Sequence, residues 1–499
     1  MNAIGAPRQV PGRRSPVRPN PSAQASRHKG HRSSSAGSAL LWLESTILLG
    51  SCLVVWWLST TFVTPLWSWV SLLQFLWLCL LCFRCEPQGF ALFLPIVISR
   101  ASVVVALIAI EYQARLPELG ITGTAGPFTA SYVVVTAVLF GSYLAVFNGA
   151  RTAFLTGRPG VLTLAFDRYA TPVSAAVLAA AIGATLWLLA VGSMRGFPLL
   201  VNMDRFVFRR LFADNLTLNI LNCKALVASA LGLVVFCLPV AARWKRSAAL
   251  AFLVFVAVNF LFGDKFFIIL MTASCFFAPY LYFHHRTVRQ RLGRAVAIGT
   301  LMMAPILGVT WFIYSDQGRM SADATSQRLA ERFAAQGELW YLQSRVGAPL
   351  TQWNEPFVAG NLEAMTIKQV DLFALRNGVG PAYFMNRYSP DKLRGAIGRN
   401  AGAVTYTMAL EPLLLANFGW LGLVLGLVLC GGLFALGSLY IAYAIERRLI
   451  LSVVFSGYIM VLMRSFSTQG GPWVIASVFT LKWLSVVLAI ELGLLLLAA

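Results

Sequence analysis

The stretch TSQRLAERFAAQGELWYLQSRVGAPL, beginning at Thr325, sets Arg328 and Arg332 one helical turn apart inside a long polar interval of an otherwise apolar chain. A guanidinium presents a planar fork of donors that matches phosphate oxygens, so two forks on one helix face suit an anionic ligand. More cations gather in MRGFPLLVNMDRFVFRRLFADN (194–215), which supplies Arg205, Arg209 and Arg210, and in the turn GDK (263–265), which supplies Lys265. The candidate carboxylates on the same face are Asp204, Glu331, Glu338 and Glu411. The plainer reading of Arg328 and Arg332 is a solvated helix whose Arg and Glu side chains pair at i,i+4, which is worth only about 0.3–0.5 kcal/mol. As a set, the cations point to an electropositive site for an anionic substrate, because clefts focus such fields.

Other chemistries lack their residues. The four histidines, His28, His31, His284 and His285, fall in segments that topology assigns to the opposite side, so none can serve this face as base or metal ligand. The eight cysteines lie in or at the ends of apolar runs, which leaves no disulfide framework for the polar interval. Cys79, Cys82 and Cys85 form a C-x-x-C-x-x-C run without a convincing fourth zinc ligand. There is no phosphate-binding P-loop, no dinucleotide glycine pattern and no aromatic-basic module for nucleic acid. No metal or cofactor is therefore expected.

The elements that must position these residues are set by composition. The chain has 499 residues, of which 58% are hydrophobic and 12% charged, and a mean hydropathy of +0.71. These values predict an all-α polytopic membrane protein. Runs of about 20 apolar residues, the length that crosses a bilayer, predict twelve spans, near 38–60, 66–83, 88–111, 128–148, 171–193, 216–239, 248–262, 267–283, 295–314, 404–437, 449–463 and 474–497. The tenth run is long enough to include a periplasmic extension or a re-entrant start. Residues 1–37, rich in Pro, Ser, Gly and Arg, read as a disordered basic cytoplasmic tail. The predicted organisation is that tail, helices 1–9 over 38–314, a large outer loop with an amphipathic helix over 315–402, and helices 10–12 over 403–499. The short basic connections RCE (84–86), Arg151/Arg158/Arg168, RWKR (243–246), HHRTVRQRLGR (284–294) and ERR (446–448) all fall on one side of such a bundle. That places both termini in the cytoplasm. Arg100, Lys224 and Lys482 lie inside predicted spans and must face protein or water. Lys224 either extends the cationic site inward or pairs with Glu44 or Glu491, and Asp264 is expected to pair with Lys265.

The segments GFPLLVNMDRF (196–206), LFGDKF (261–266), RLAERFAAQGELWYL (328–342) and EPLLLANFGWLGL (411–423), in that order among twelve helices, resemble the Wzy-type O-antigen and exopolysaccharide repeat-unit polymerases. The resemblance implies an enzyme of the bacterial inner membrane that works at its periplasmic face. It would transfer a growing glycan from undecaprenyl diphosphate to another lipid-linked repeat unit, with a chain-length regulator protein as a partner. Arg205, Arg209, Arg210, Lys265, Arg328 and Arg332 would then hold the diphosphate, whose negative charge grows as the glycosyl bond breaks. An inverting transfer also needs a carboxylate to take the acceptor's proton, with Glu411, Glu338 and Asp204 as candidates. For Glu411, at the start of a span beside Pro412, the alternative is a carboxylate favoured by the helix dipole. Arg387 to Gly398 also fits an R-x10-G spacing noted in some polymerases. A lipid-linked oligosaccharide flippase, an O-antigen ligase and a non-catalytic scaffold of a polysaccharide assembly are the competing readings.

The topology has a direct test. Reporters fused after Arg246 or Arg291 are expected to read cytoplasmic and one inserted near Asn354 periplasmic; a cytoplasmic signal at Asn354 would overturn the assignment of the site to the outer face.

Overall fold

The structure is a computed structural model that describes residues 35–116, 119–155, 161–201, 203, 205–264, 266–290, 293, 308, 311, 315, 321–366, 379–388, 408–447, 449–471 and 473–498. The long helices of the first half are α1 (Ser35–Thr61), α2 (Leu66–Cys85), α3 (Pro87–Glu111), α4 (Phe128–Leu155) and α5 (Val161–Arg195). A two-residue antiparallel pair, β1 (Arg115–Leu116) and β2 (Ile121–Thr122), sits between α3 and α4 with Arg115 opposite Thr122. Short helices α6 (Arg205–Leu211), α7 (Asn215–Asn222) and α8 (Lys224–Gly232) follow, then the long α9 (Ala242–Leu261) and α10 (Phe266–Gln290). The polar interval contributes α11 (Ala322–Ala334), α12 (Glu338–Val346), α13 (Glu355–Thr366) and α14 (Pro381–Tyr388). The chain ends in α15 (Leu410–Arg447), α16 (Ile450–Gln469), the single turn α17 (Trp473–Ala476) and α18 (Val478–Ala498).

Among the described residues, eight helices are long and apolar enough to cross a membrane, or nine if α7 and α8, bent by 51° about Cys223, form one span. Eight of the expected spans fall on those helices, and the run at 216–239 falls on the bent pair. The runs at 267–283 and 474–497 fall on α10 and α18, outside those eight. The run at 295–314, apart from 308 and 311, and the tail 1–34 lie outside the described residues, as do Asp204 and Lys265.

Surface pattern supports a bilayer more directly than length does. Along α2, Leu66, Trp69, Leu73, Leu76 and Leu80 form an exposed stripe at alternating three- and four-residue steps. The opposite face buries Ser68, Ser71, Gln74, Phe75 and Leu78. A helix that turns leucines outward and serines inward is inverted for water and correct for lipid, where small polar residues let helices approach closely. The same holds where α15 meets α4: a Cβ at Gly431 would collide with Ser142 Oγ and with the carbonyl of Leu139.

Two helices are broken, and both breaks matter below. Within α15, Gly419 has φ 71° and ψ −171°, a region almost confined to glycine. The chain folds back there. Leu414 and Gly426 would stand about 18 Å apart along a straight helix, yet a Cβ at Gly426 would lie 2.8 Å from the Leu414 side chain. Residues 410–418 therefore run back along the helix that follows, which accounts for the surplus length of this run. Gly419→Ala is expected to lower the detergent-solubilised protein's melting temperature, because the backbone costs about 1–3 kcal/mol for a non-glycine residue and the new Cβ would sit 2.5 Å from the Pro349 carbonyl oxygen. An unchanged melting temperature would show that this reversal is not part of the folded state.

Candidate functional site

The break between α7 and α8 gathers the densest group of charges. Phe208 is buried among Leu188, Val191, Leu221, Phe255, Val258 and Phe262, and it anchors α6 so that Arg205 and Arg209, one turn apart, flank the anchor. The turn after α9 needs a positive φ at Gly263, +83°, and a Cβ there would lie 3.2 Å from that of Arg205. This turn aims Asp264 at the first residue of α8, where its carboxylate receives Lys224 Nζ in a hydrogen-bonded ion pair. Arg209 approaches the other carboxylate oxygen at 3.9 Å, and its Nε has no hydrogen-bond partner among the described residues. Among the described residues, Arg209 and Lys224 thus share one carboxylate that is 3% exposed, with Arg205 close enough to act on Lys224. The N-terminus of α8 adds its own positive potential.

Asp264 pairs with Lys224 and Arg209; Lys265, its expected partner in the turn, lies outside the described residues. Lys224, expected to extend the cationic site or to pair with Glu44 or Glu491, pairs with Asp264; Glu491 accepts the Ser452 amide at 2.9 Å, near the start of α16. Arg210 is exposed. Arg195, at the end of α5, donates to the Phe212 carbonyl and ties the segment down.

The opening stretch does something else. Ser321 caps α11 by accepting the Ala324 amide at 3.2 Å, and Arg328 and Arg332 are both exposed on this helix, which packs along α3. The chain turns at Gln336 and Gly337, as the sequence suggests, because Gly337 presses on α3: a Cβ would meet the Leu107 amide nitrogen at 3.1 Å. Beyond that turn α12 enters the bundle. Trp340 Nε1 donates to the Phe128 carbonyl at 3.0 Å, and Tyr341 Oη lies 3.0 Å from Thr124 Oγ1. Phe333 is 51% exposed and Trp340 1%, because the turn puts them on different helices. Glu338 is fully buried in the first turn of α12.

Glu411 is sealed as well. Its carboxylate lies 2.9 Å from the Arg100 guanidinium, with both side chains 0% exposed. Arg100 also donates to Tyr132 Oη at 3.2 Å and to Ser467 Oγ at 2.8 Å. Sequence reasoning named both charges without joining them, since Arg100 and Glu411 lie on helices far apart in the chain. Arg205 and Arg209 are joined with Lys224, whereas Arg328 and Arg332 stand on a separate helix packed against α3 and β1.

Sequence reasoning also missed a cleft of about 500 Å³ lined by the chain from Gln343 to Pro356, by Tyr383, Arg387 and Tyr388 of α14, and by Ala416. Its only sequence signal is a concentration of tryptophan, tyrosine and amide residues in the polar interval. Gly398, the far end of the R-x10-G spacing, lies outside the described residues. Among the described residues no group of three or more His, Cys, Asp or Glu is arranged to hold a metal ion.

A family model described as a family of unknown function, DUF6418, matches residues 376–487. That part of the chain contains Arg387, Glu411, Gly419 and Ser467 but not the charges around Asp264. No curated protein and no solved structure matches the chain.

The two ion pairs make a stability test. Glu411→Gln leaves Arg100 buried without a counter-charge and is expected to cost about 3–5 kcal/mol, the usual penalty for breaking one side of a buried pair. Asp264→Asn should cost less, because Lys224 and Arg209 retain some solvent. Thermal unfolding in detergent measures both, and equal, negligible losses would contradict the pairing.

Proposed function

We propose that the chain is a glycosyltransferase of the bacterial inner membrane that polymerises lipid-linked repeat units at the periplasmic face. The observation that supports this reading is that, among the described residues, two cations, Arg209 and Lys224, share the single carboxylate of Asp264 at the broken helix. A polyprenyl diphosphate needs such a cradle, since the acceptor hydroxyl attacks the anomeric carbon, the glycosyl C–O bond to phosphate breaks, and the electron pair stays on the departing diphosphate. The hydroxyl proton passes to a carboxylate. Glu411 and Glu338 are both enclosed, so either takes part only in a conformation that uncovers it, while Asp204 belongs to the segment leading into α6. The proposal includes twelve helices, cytoplasmic termini, no metal cofactor, and a chain-length regulator as a partner protein.

A second reading has its own support. Interrupted helices are a mark of transporters, whose sites lie at half-helix ends, and this chain has breaks at Cys223 and Gly419. A lipid-linked oligosaccharide flippase would use the same cationic group to carry a diphosphate across.

Reconstitution with lipid-linked repeat units separates the two. A ladder of longer lipid-linked glycans is the expected result; altered sidedness without lengthening would establish the transporter, and transfer to an unrelated acceptor a ligase. Arg209→Ala is expected to lower ladder formation by about 10²-fold, the scale for losing one electrostatic donor, with partial rescue by Lys, which keeps charge and loses the fork. Arg328→Ala and Arg332→Ala should act mainly on substrate capture and its salt dependence, as exposed charges do.

A further inference from the structure

The cleft between α12 and α14 has walls of a different kind from the cationic group. Trp353 is 71% exposed, and its ring is supported from one side by Phe418, at 5.5 Å between centroids. The planar polar groups beside it are fixed in place. Asn354 donates to Asn417 Oδ1 at 2.7 Å and accepts the Phe357 amide at 3.2 Å, capping α13. Gln352 donates through its side chain to the Ala416 carbonyl and through its backbone to the Phe418 carbonyl at 3.3 Å. Arg387 donates to Tyr383 Oη at 3.0 Å and its guanidinium carbon lies 5.5 Å from the centre of the Tyr388 ring.

These features narrow the ligand. A volume of about 500 Å³ lies within the usual range of small-molecule sites, about 300–1,000 Å³. A lipid tail would need apolar walls, and here amides and charges line the space. A diphosphate would need surplus cation, and Arg387 shares the cleft with Glu355. What remains is a flat, hydroxyl-rich molecule with an apolar face, which an aromatic ring can stack against while planar donors and acceptors reach its edges.

We infer that this cleft binds a pyranose-containing oligosaccharide, with Trp353 as the stacking platform and Arg387, held by Tyr383 and Tyr388, as the directional donor. The inference rests on the proposed glycan chemistry for the identity of its occupant, and adds a sugar subsite separate from the diphosphate cradle. The floor of the cleft at Ala416 belongs to residues 410–418, the segment that folds back at Gly419. Glycan in the cleft therefore rests on the same short helix that starts at the Arg100–Glu411 pair.

The test measures binding without turnover. The full chain, purified in detergent and fluorescently labelled, is applied to a printed array of soluble bacterial oligosaccharides that lack any lipid diphosphate, and the best binder is then titrated. Wild type is expected to bind, Trp353→Ala and Arg387→Ala to weaken binding at least tenfold, and Trp353→Phe to retain most of it. Trp57→Ala, an equally exposed tryptophan on α1, should leave it unchanged. Melting temperatures within a degree or two of wild type show that the variants fold, as expected for exposed side chains. Absence of binding across the array, or binding indifferent to Trp353→Ala, overturns the subsite. Glycan binding that survives alongside a failed polymerisation ladder would instead remove the proposed reaction and leave the subsite standing.

Discussion

An arginine and a glutamate with no access to solvent, Arg100 and Glu411, meet at 2.9 Å about halfway along α3. Desolvating two such ions costs several kcal/mol each, and their attraction offsets that only with good geometry and further hydrogen bonds. Arg100 finds two more acceptors, Tyr132 on α4 and Ser467 on α16. One guanidinium thus fixes three helices and the start of a fourth. Tyr132 in turn packs edge-on against Trp340, 5.5 Å between centroids, so the entry of α12 into the bundle depends on the same centre. Ala409 donates its amide to the Thr468 carbonyl at 2.9 Å, which holds the beginning of the folded-back segment beside the pair.

Breaking a helix inside a bundle strands backbone groups, and the two breaks here solve that differently. At Gly419 the amides of Trp420 and Leu421 donate to the carbonyls of Pro349 and Leu350, at 3.2 and 2.9 Å, and the Gln352 amide returns a bond to the Phe418 carbonyl at 3.3 Å. A piece of the polar interval has taken the place of a helical turn, as buried irregular backbone requires. At Cys223 the ladder is nearly continuous, with the Cys223 amide on the Asn219 carbonyl and the Leu226 amide on that of Cys223, at 2.8 and 2.9 Å. There the bend mainly redirects the axis, and the N-terminal residue it exposes is Lys224. The first break makes a floor for a cleft, and the second makes a place for a cation.

What the sequence made legible follows from the range of the signals. Apolar runs are local, so the long helices fall where hydropathy puts them, and the fold-back at the start of α15 shows as surplus length. The turn at Gln336 and Gly337 is local too. The ion pairs are not. Lys224 and Asp264 are 40 residues apart and join only because Gly263 reverses the chain beside Arg205; nothing in GDK distinguishes an aspartate that pairs with its neighbour from one that reaches across to α8. For Arg328 and Arg332 the legible part is local. Their spacing is helical and the helix forms, but helical spacing says which residues share a face and not what that face meets.

The division of charge between the two sites carries the last step. Around Asp264, among the described residues, the cations outnumber the acid in a partly dry setting, where a surplus charge attracts an anion strongly. In the cleft, arginine and glutamate are both present and aromatic rings are open, so recognition depends on shape and directional hydrogen bonds and responds little to salt. A substrate that is anionic at one end and a neutral, hydroxylated chain at the other presents both kinds of surface. The two kinds of site differ in the physics of recognition as the two ends of such a molecule do. On the proposed reading, a carboxylate reaches a sugar hydroxyl only once Glu411 separates from Arg100 or the buried Glu338 is uncovered, and the binding energy of the two substrate ends is the source available to offset that cost.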